Sequence, residues 1–177
     1  MSRLLVLLCA ALFAISVKAA TFVNTVGSDD GIAISSFDAV AFHTHRKAVL
    51  GKTEYAVRHL EATWLFASEE NKAAFQAAPE KYMPEWGGHC AACIPESCIS
   101  SKKLSGDFEL VDGKLYLFSF GNRSRSSSRD NFVYGRTSKA LLVQYGNKNW
   151  SAMRSQLEDG SLQQPDSKTY RKTQYEK

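Results

Sequence analysis

The stretch Ala62-Thr63-Trp64-Leu65-Phe66-Ala67-Ser68-Glu69-Glu70-Asn71 carries a strand signal and a helix signal back to back. Thr63 to Phe66 is rich in aromatic and β-branched character, as strands are. Ser68 stands where a helix N-cap belongs. Glu69 and Glu70 favour the positive end of a helix, and Asn71 occupies the place where a capping box has Glu. Ala73, Ala74, Phe75 and Ala77 continue the helix until Pro79 ends it, and Pro79 to Tyr82 starts another helical turn. Just upstream, Thr53 to Leu60 is a strand with Tyr55, Val57 and His59 on one face. Glu61-Ala62 is a tight connection, so the two strands form a hairpin.

Further out, Leu110-Val111 and Leu115 to Phe118 flank Asp112-Gly113, whose residues supply the positive φ angles of a second hairpin turn. Ala39 to Phe42 continues as helix or strand after a turn at Ser35-Ser36-Phe37-Asp38. Arg136 to Trp150 reads as helix, Gly121 to Arg129 as a Ser/Arg-rich loop, and the polar residues from Asp159 as a disordered tail. The pattern implies a small single domain of the α+β class, with β-hairpins and short helices, over residues 32–158. Gly27 to Gly31 is a turn signal that closes a poorly patterned N-terminal segment.

At the N-terminus, Arg3 precedes an apolar run from Leu4 to Val17, and Val17-Lys18-Ala19 offers small residues for cleavage. This is the layout of a secretory signal peptide over residues 1–19. The run is shorter than the roughly 20 apolar residues that a membrane span needs. The expectation is an exported chain, periplasmic or secreted, with no membrane span after signal cleavage. The formal charge of +4 includes Arg3 and Lys18. Without them the chain is nearly balanced, and charge gives no reason to expect a nucleic-acid partner. Nothing in the sequence names another partner.

Chemistry concentrates in Cys90-Ala91-Ala92-Cys93-Ile94-Pro95-Glu96-Ser97-Cys98, directly after Gly87-Gly88-His89. Of the four cysteines only Cys9, in the expected signal segment, lies elsewhere. Cys90 and Cys93 have the two-residue gap that lets two thiolates grip one ion, and Cys98 and His89 would complete four ligands. Soft sulfur favours copper, as Cu(I), or zinc. The alternative is one disulfide among the three thiols, which an oxidising compartment favours. Its pairing is open. Redox catalysis through Cys90 and Cys93 is a third reading, with no strand-to-helix signal to lower a thiol pKa. His43 and His45, alternating on an extended segment, are a further candidate pair of nitrogen ligands. No serine, histidine or aspartate stands in a nucleophile-elbow context, and an enzyme ranks third, behind a metal-binding and an interaction domain.

From Ile32 to Ala92 the chain resembles the exported, longer members of the YHS domain family. The resemblance is carried by Ser36-Phe37-Asp38-Ala39-Val40-Ala41-Phe42, Gly51, Glu54-Tyr55, the stretch from Ala62 to Asn71, Phe75, Pro79-Glu80-Lys81-Tyr82, Pro84 and Gly87-Gly88-His89-Cys90-Ala91. Asp112-Gly113-Lys114-Leu115-Tyr116-Leu117 and Asn149-Trp150 look like the family's later landmarks. The resemblance implies a small α+β domain, with metal binding suspected for the short members. Ala39 and Phe42 stand where the family has Pro and Tyr. Cys93 and Cys98 are cysteines where it has other residues, whereas Cys90 is at its own cysteine position. Arg123 to Arg129 looks like an insertion.

Overall fold

The structure is a computed structural model that describes residues 21–119 and 139–165. The expected signal peptide, the Ser/Arg segment, the start of the last helix and the end of the tail lie outside the described residues. The architecture is α+β, two antiparallel hairpins joined and covered by helices. In the first, β1 (Lys52–His59) pairs with β2 (Ala62–Phe66), with Val57 opposite Trp64 and His59 opposite Ala62. β2 is the inner strand, with Ala62, Trp64, Leu65 and Phe66 buried, and β1 keeps only Tyr55, Val57 and His59 half-covered. The connection is Leu60-Glu61 rather than Glu61-Ala62. Both residues have positive φ, 49° and 57°, as the tight turn of a twisted hairpin requires.

Helix α2 (Glu69–Ala77) begins as expected: the Ser68 hydroxyl accepts from the Asn71 N–H at 3.2 Å. The side chain of Asn71 does not close a capping box. It points inward, and its Nδ2 donates to Asp38 Oδ2 at 2.7 Å. Asp38 is completely buried and caps α1 (Ala39–Thr44) through Oδ1, which accepts from Val40 N and Ala41 N. Its Oδ2 also accepts from Ala67 N at 2.8 Å. One carboxylate therefore ties the start of α1 to the end of β2 and to α2, and four donors offset the cost of burying its charge. Around this point, Phe66 and Trp64 pack on Phe75 with ring centroids 4.9 and 5.1 Å apart, and α3 (Pro79–Tyr82) adds Tyr82.

α1 corrects the reading of His43 and His45 as an extended pair. His43 is inside the helix, and its ring meets Tyr82 edge-on. His45 is the C-cap, with Nδ1 3.0 Å from Thr44 Oγ1. The Asp38 cap decides helix over strand there.

The second hairpin pairs β3 (Phe108–Val111) with β4 (Lys114–Leu117), turning at Asp112 and Gly113 with φ of 51° and 78°. It packs with α4 (Lys139–Glu158) around a second apolar cluster of Trp86, Ala91, Ile94, Tyr116, Phe118 and Met153. α4 runs eight residues past the expected end at Trp150. Both flanks of the expected domain are also drawn in. Val23 and Val26 are buried, and Asn24 Nδ2 donates to Gly88 O. Gln164 accepts from Thr25 N and donates to Thr21 O and Val23 O. Residues 21–25 are thus bound to Gln164, which periodicity within either segment does not reveal. Among the described residues, no helix is long and apolar enough to cross a membrane.

Candidate thiol site

The cysteine stretch is placed by a backbone turn and by β4. Residues 86 to 88 all have positive φ, and at Gly87 (φ 61°) a Cβ would sit 2.4 Å from Phe22 O. Only glycine fits both demands. The turn sends the chain alongside β4, where Cys90 bridges to Leu117 and Ala91 N donates to Leu117 O at 2.8 Å. Immediately afterwards the backbone coils. Cys93 N and Ile94 N both donate to Cys90 O, at 2.8 and 3.2 Å. A turn closed in this way keeps its first and last Cα atoms within about 7 Å, so Cys90 and Cys93 present their sulfurs from one coil.

The three thiols are unbridged and differ in exposure: Cys90 is buried, Cys93 half-buried and Cys98 exposed. Cys90 is held at about 6, far below an ordinary thiol. The largest cause is hydrogen bonding from the Cys93 thiol, and the hydroxyl and N–H of Ser119 and the Ala92 backbone add to it. Burial opposes them and is outweighed. The Ser119 N–H lies 3.4 Å from Cys90 Sγ, and the Ser119 hydroxyl is itself 2.7 Å from Ser100 Oγ. Cys93 is pushed in the opposite direction, chiefly by its bond to Cys90 and then by burial. Cys90 is therefore held toward the thiolate and Cys93 toward the thiol. Thiolate is the form that binds soft metals and attacks disulfides.

The expected strand-to-helix signal was absent from the sequence, yet the structure supplies an equivalent: a strand-like bridge into a helical coil, with donors converging on one sulfur. Ser119 carried no sequence signal, because it reaches Cys90 from the far side of the second hairpin. Asn149, noted only as a landmark, fixes the loop from α4. Its Nδ2 donates to Ile94 O at 3.2 Å and to Pro95 O at 2.8 Å.

His89 adjoins the cysteines in sequence but has other partners. It is fully buried, its Nε2 is 3.1 Å from Phe22 O, and its ring packs on Trp150. Burial lowers it to about 4, against the raising effect of the Phe22 carbonyl, so the ring is neutral and Nε2 carries the hydrogen. Among the described residues, no group of three or more His, Cys, Asp or Glu side chains is placed to hold one ion. Cys90, Cys93, Cys98 and His89 are thus not brought together as a four-ligand set.

The open cleft of about 470 Å³ lined by Thr44, His45, Lys47, Ser68 and Glu70 contains none of the cysteines. No family model, curated protein or solved structure matches the chain.

Proposed function

We propose that this chain is an exported binding domain of the YHS type that takes a soft ion, Cu(I), between Cys90 and Cys93. The observation that carries this reading is the thiolate–thiol pair, with Cys90 held at about 6 and Cys93 as its donor. Two adjacent sulfurs, one already ionised near neutral pH, suit an ion that prefers soft thiolates and accepts few ligands. Zinc wants four ligands in a tetrahedron, and the described residues offer no such set, so copper is the better fit of the two. Cys90 and Cys93 would hold the ion through their sulfurs. Ser119 and the Ala92 backbone would orient Cys90, as groups beyond the ligands do in metal sites.

The YHS assignment is supported by what the motif residues do. Asp38, Phe42, Trp64, Phe66, Ser68, Asn71, Phe75, Tyr82 and Gly87 are caps, core or turn residues of the first half. Export is supported by the layout of residues 1–19.

The test is competition for Cu(I) between the reduced, metal-free protein and a chromogenic chelator. One ion per chain is expected, with binding lost in Cys90→Ser and in Cys93→Ser and kept in His89→Gln. A wild-type protein that never competes, or a Cys90→Ser variant that binds as well, overturns the reading. A second reading, a non-catalytic interaction domain stapled by one disulfide, is favoured by the contact of the Cys93 thiol with both Cys90 and Cys98. Its signature is a native mass two hydrogens below the reduced chain that Cu(I) does not change.

A further inference from the structure

The loop from Cys93 to Cys98 ends its short coil in a specific way. Cys98 N donates to Cys93 O at 3.2 Å, and inside that bond Ser97 N donates to Ile94 O at 3.0 Å. Ser97, between them, is left-handed with φ of 56°. These are the six-to-one and five-to-two bonds of a Schellman motif, with Ser97 where glycine is usual. The motif regularly brings together the side chains of its first and sixth residues. Here both are cysteines. Cys98 Sγ lies 3.3 Å from Cys93 O, and the Cys98 thiol is one of the groups that keep the proton on Cys93. Asn149 holds the middle of the loop from α4. The sulfurs thus form a graded series from solvent to interior: Cys98, Cys93, Cys90.

We propose that Cys93 and Cys98 are a reversible dithiol that reacts with small external disulfides, Cys98 attacking first and Cys93 closing the bridge. In the first step Cys98 loses its proton to solvent and its sulfur attacks one sulfur of the external disulfide. The S–S bond breaks, one small thiolate leaves and takes up a proton, and Cys98 is left in a mixed disulfide. In the second step Cys93 loses its proton to solvent and its sulfur attacks Cys98 Sγ. The second small thiolate leaves and is protonated by water. The external disulfide has been reduced to two thiols, and the protein has lost two hydrogens. Cys90, the buried one of the three, stays outside the bridge. Oxidation removes Cys93 as a ligand and so would release the ion. That consequence alone rests on the copper reading.

The test uses the reduced, metal-free full chain and oxidised glutathione, which keeps it independent of copper. Samples quenched in acid are alkylated, and fragmentation locates the label. The expected product carries the label on Cys90 and links Cys93 to Cys98. Cys98→Ser loses that bridge. A Cys90–Cys93 bridge, a wild type that is not oxidised, or oxidation of Cys98→Ser at the wild-type rate overturns the proposal.

Discussion

Asp38→Asn is expected to lower the unfolding free energy by about 3–4 kcal/mol, near the top of what one substitution does. The side chain is fully buried and accepts four hydrogen bonds at 2.7–3.1 Å. An amide of the same shape keeps one acceptor oxygen. Its NH2 then faces two donors, the N–H of Ala67 and Nδ2 of Asn71, or, if flipped, those of Val40 and Ala41. Two hydrogen bonds to a charged acceptor, each worth about 1.5–3 kcal/mol, are exchanged for donor–donor contacts. Better solvation of a neutral group offsets part of the loss. Urea unfolding of both proteins at neutral pH measures the difference. A change below about 1 kcal/mol would mean that the cap, the strand exit and α2 are not joined at this carboxylate.

Acid has the second large effect, and His89 is its source. The group titrates at an ordinary 6.5 in the unfolded chain and at about 4 in the fold, with burial as the main cause. A depressed folded value means that the neutral ring contributes its full stability above about 6.5. As pH falls below that, the unfolded chain takes up a proton that the folded chain refuses, and stability drains away until the folded ring titrates near 4. The loss totals about 3 kcal/mol. The readout is the stability difference between wild type and His89→Gln, which removes carboxylate contributions common to both. Wild type is expected to be the more stable at neutral pH, and the gap to shrink by about that amount as pH approaches 4. A constant gap would contradict a buried neutral imidazole between Phe22 and Trp150.

The parts of the fold legible in the sequence are those whose cause is local. Asp112-Gly113 announced its hairpin because both turn residues must take positive φ. Ser68 announced α2 because its hydroxyl caps a donor three residues on. The helix over His43 was not legible, since its cap, Asp38, is itself fixed by Ala67 and Asn71, about 30 residues away. The N-terminal segment looked unstructured because Val23 and Asn24 depend on Gly88 and Gln164.

The site divides in the same way. The spacing of Cys90 and Cys93 singled them out, and the resemblance separated Cys90 from the two additional cysteines. The lowering of Cys90 comes first from Cys93 and then from Ser119, which lies 29 residues away and reaches it only once the second hairpin is formed. His89 was grouped with the cysteines because it precedes Cys90, but an adjacent side chain in extended backbone faces the other way. The cap at Ser97 was hidden because a serine, not a glycine, takes the left-handed position.

Titration of the ultraviolet thiolate absorbance of the reduced, metal-free protein tests the central claim most directly, because the proposed copper binding needs Cys90 ionised with the help of Cys93. The account predicts one thiolate appearing with a midpoint near pH 6, absent in Cys90→Ser and shifted upward in Cys93→Ala. The opposite result is a wild-type protein whose thiolate absorbance stays flat until the ordinary cysteine range, about pH 8.5, or a midpoint that Cys93→Ala leaves in place.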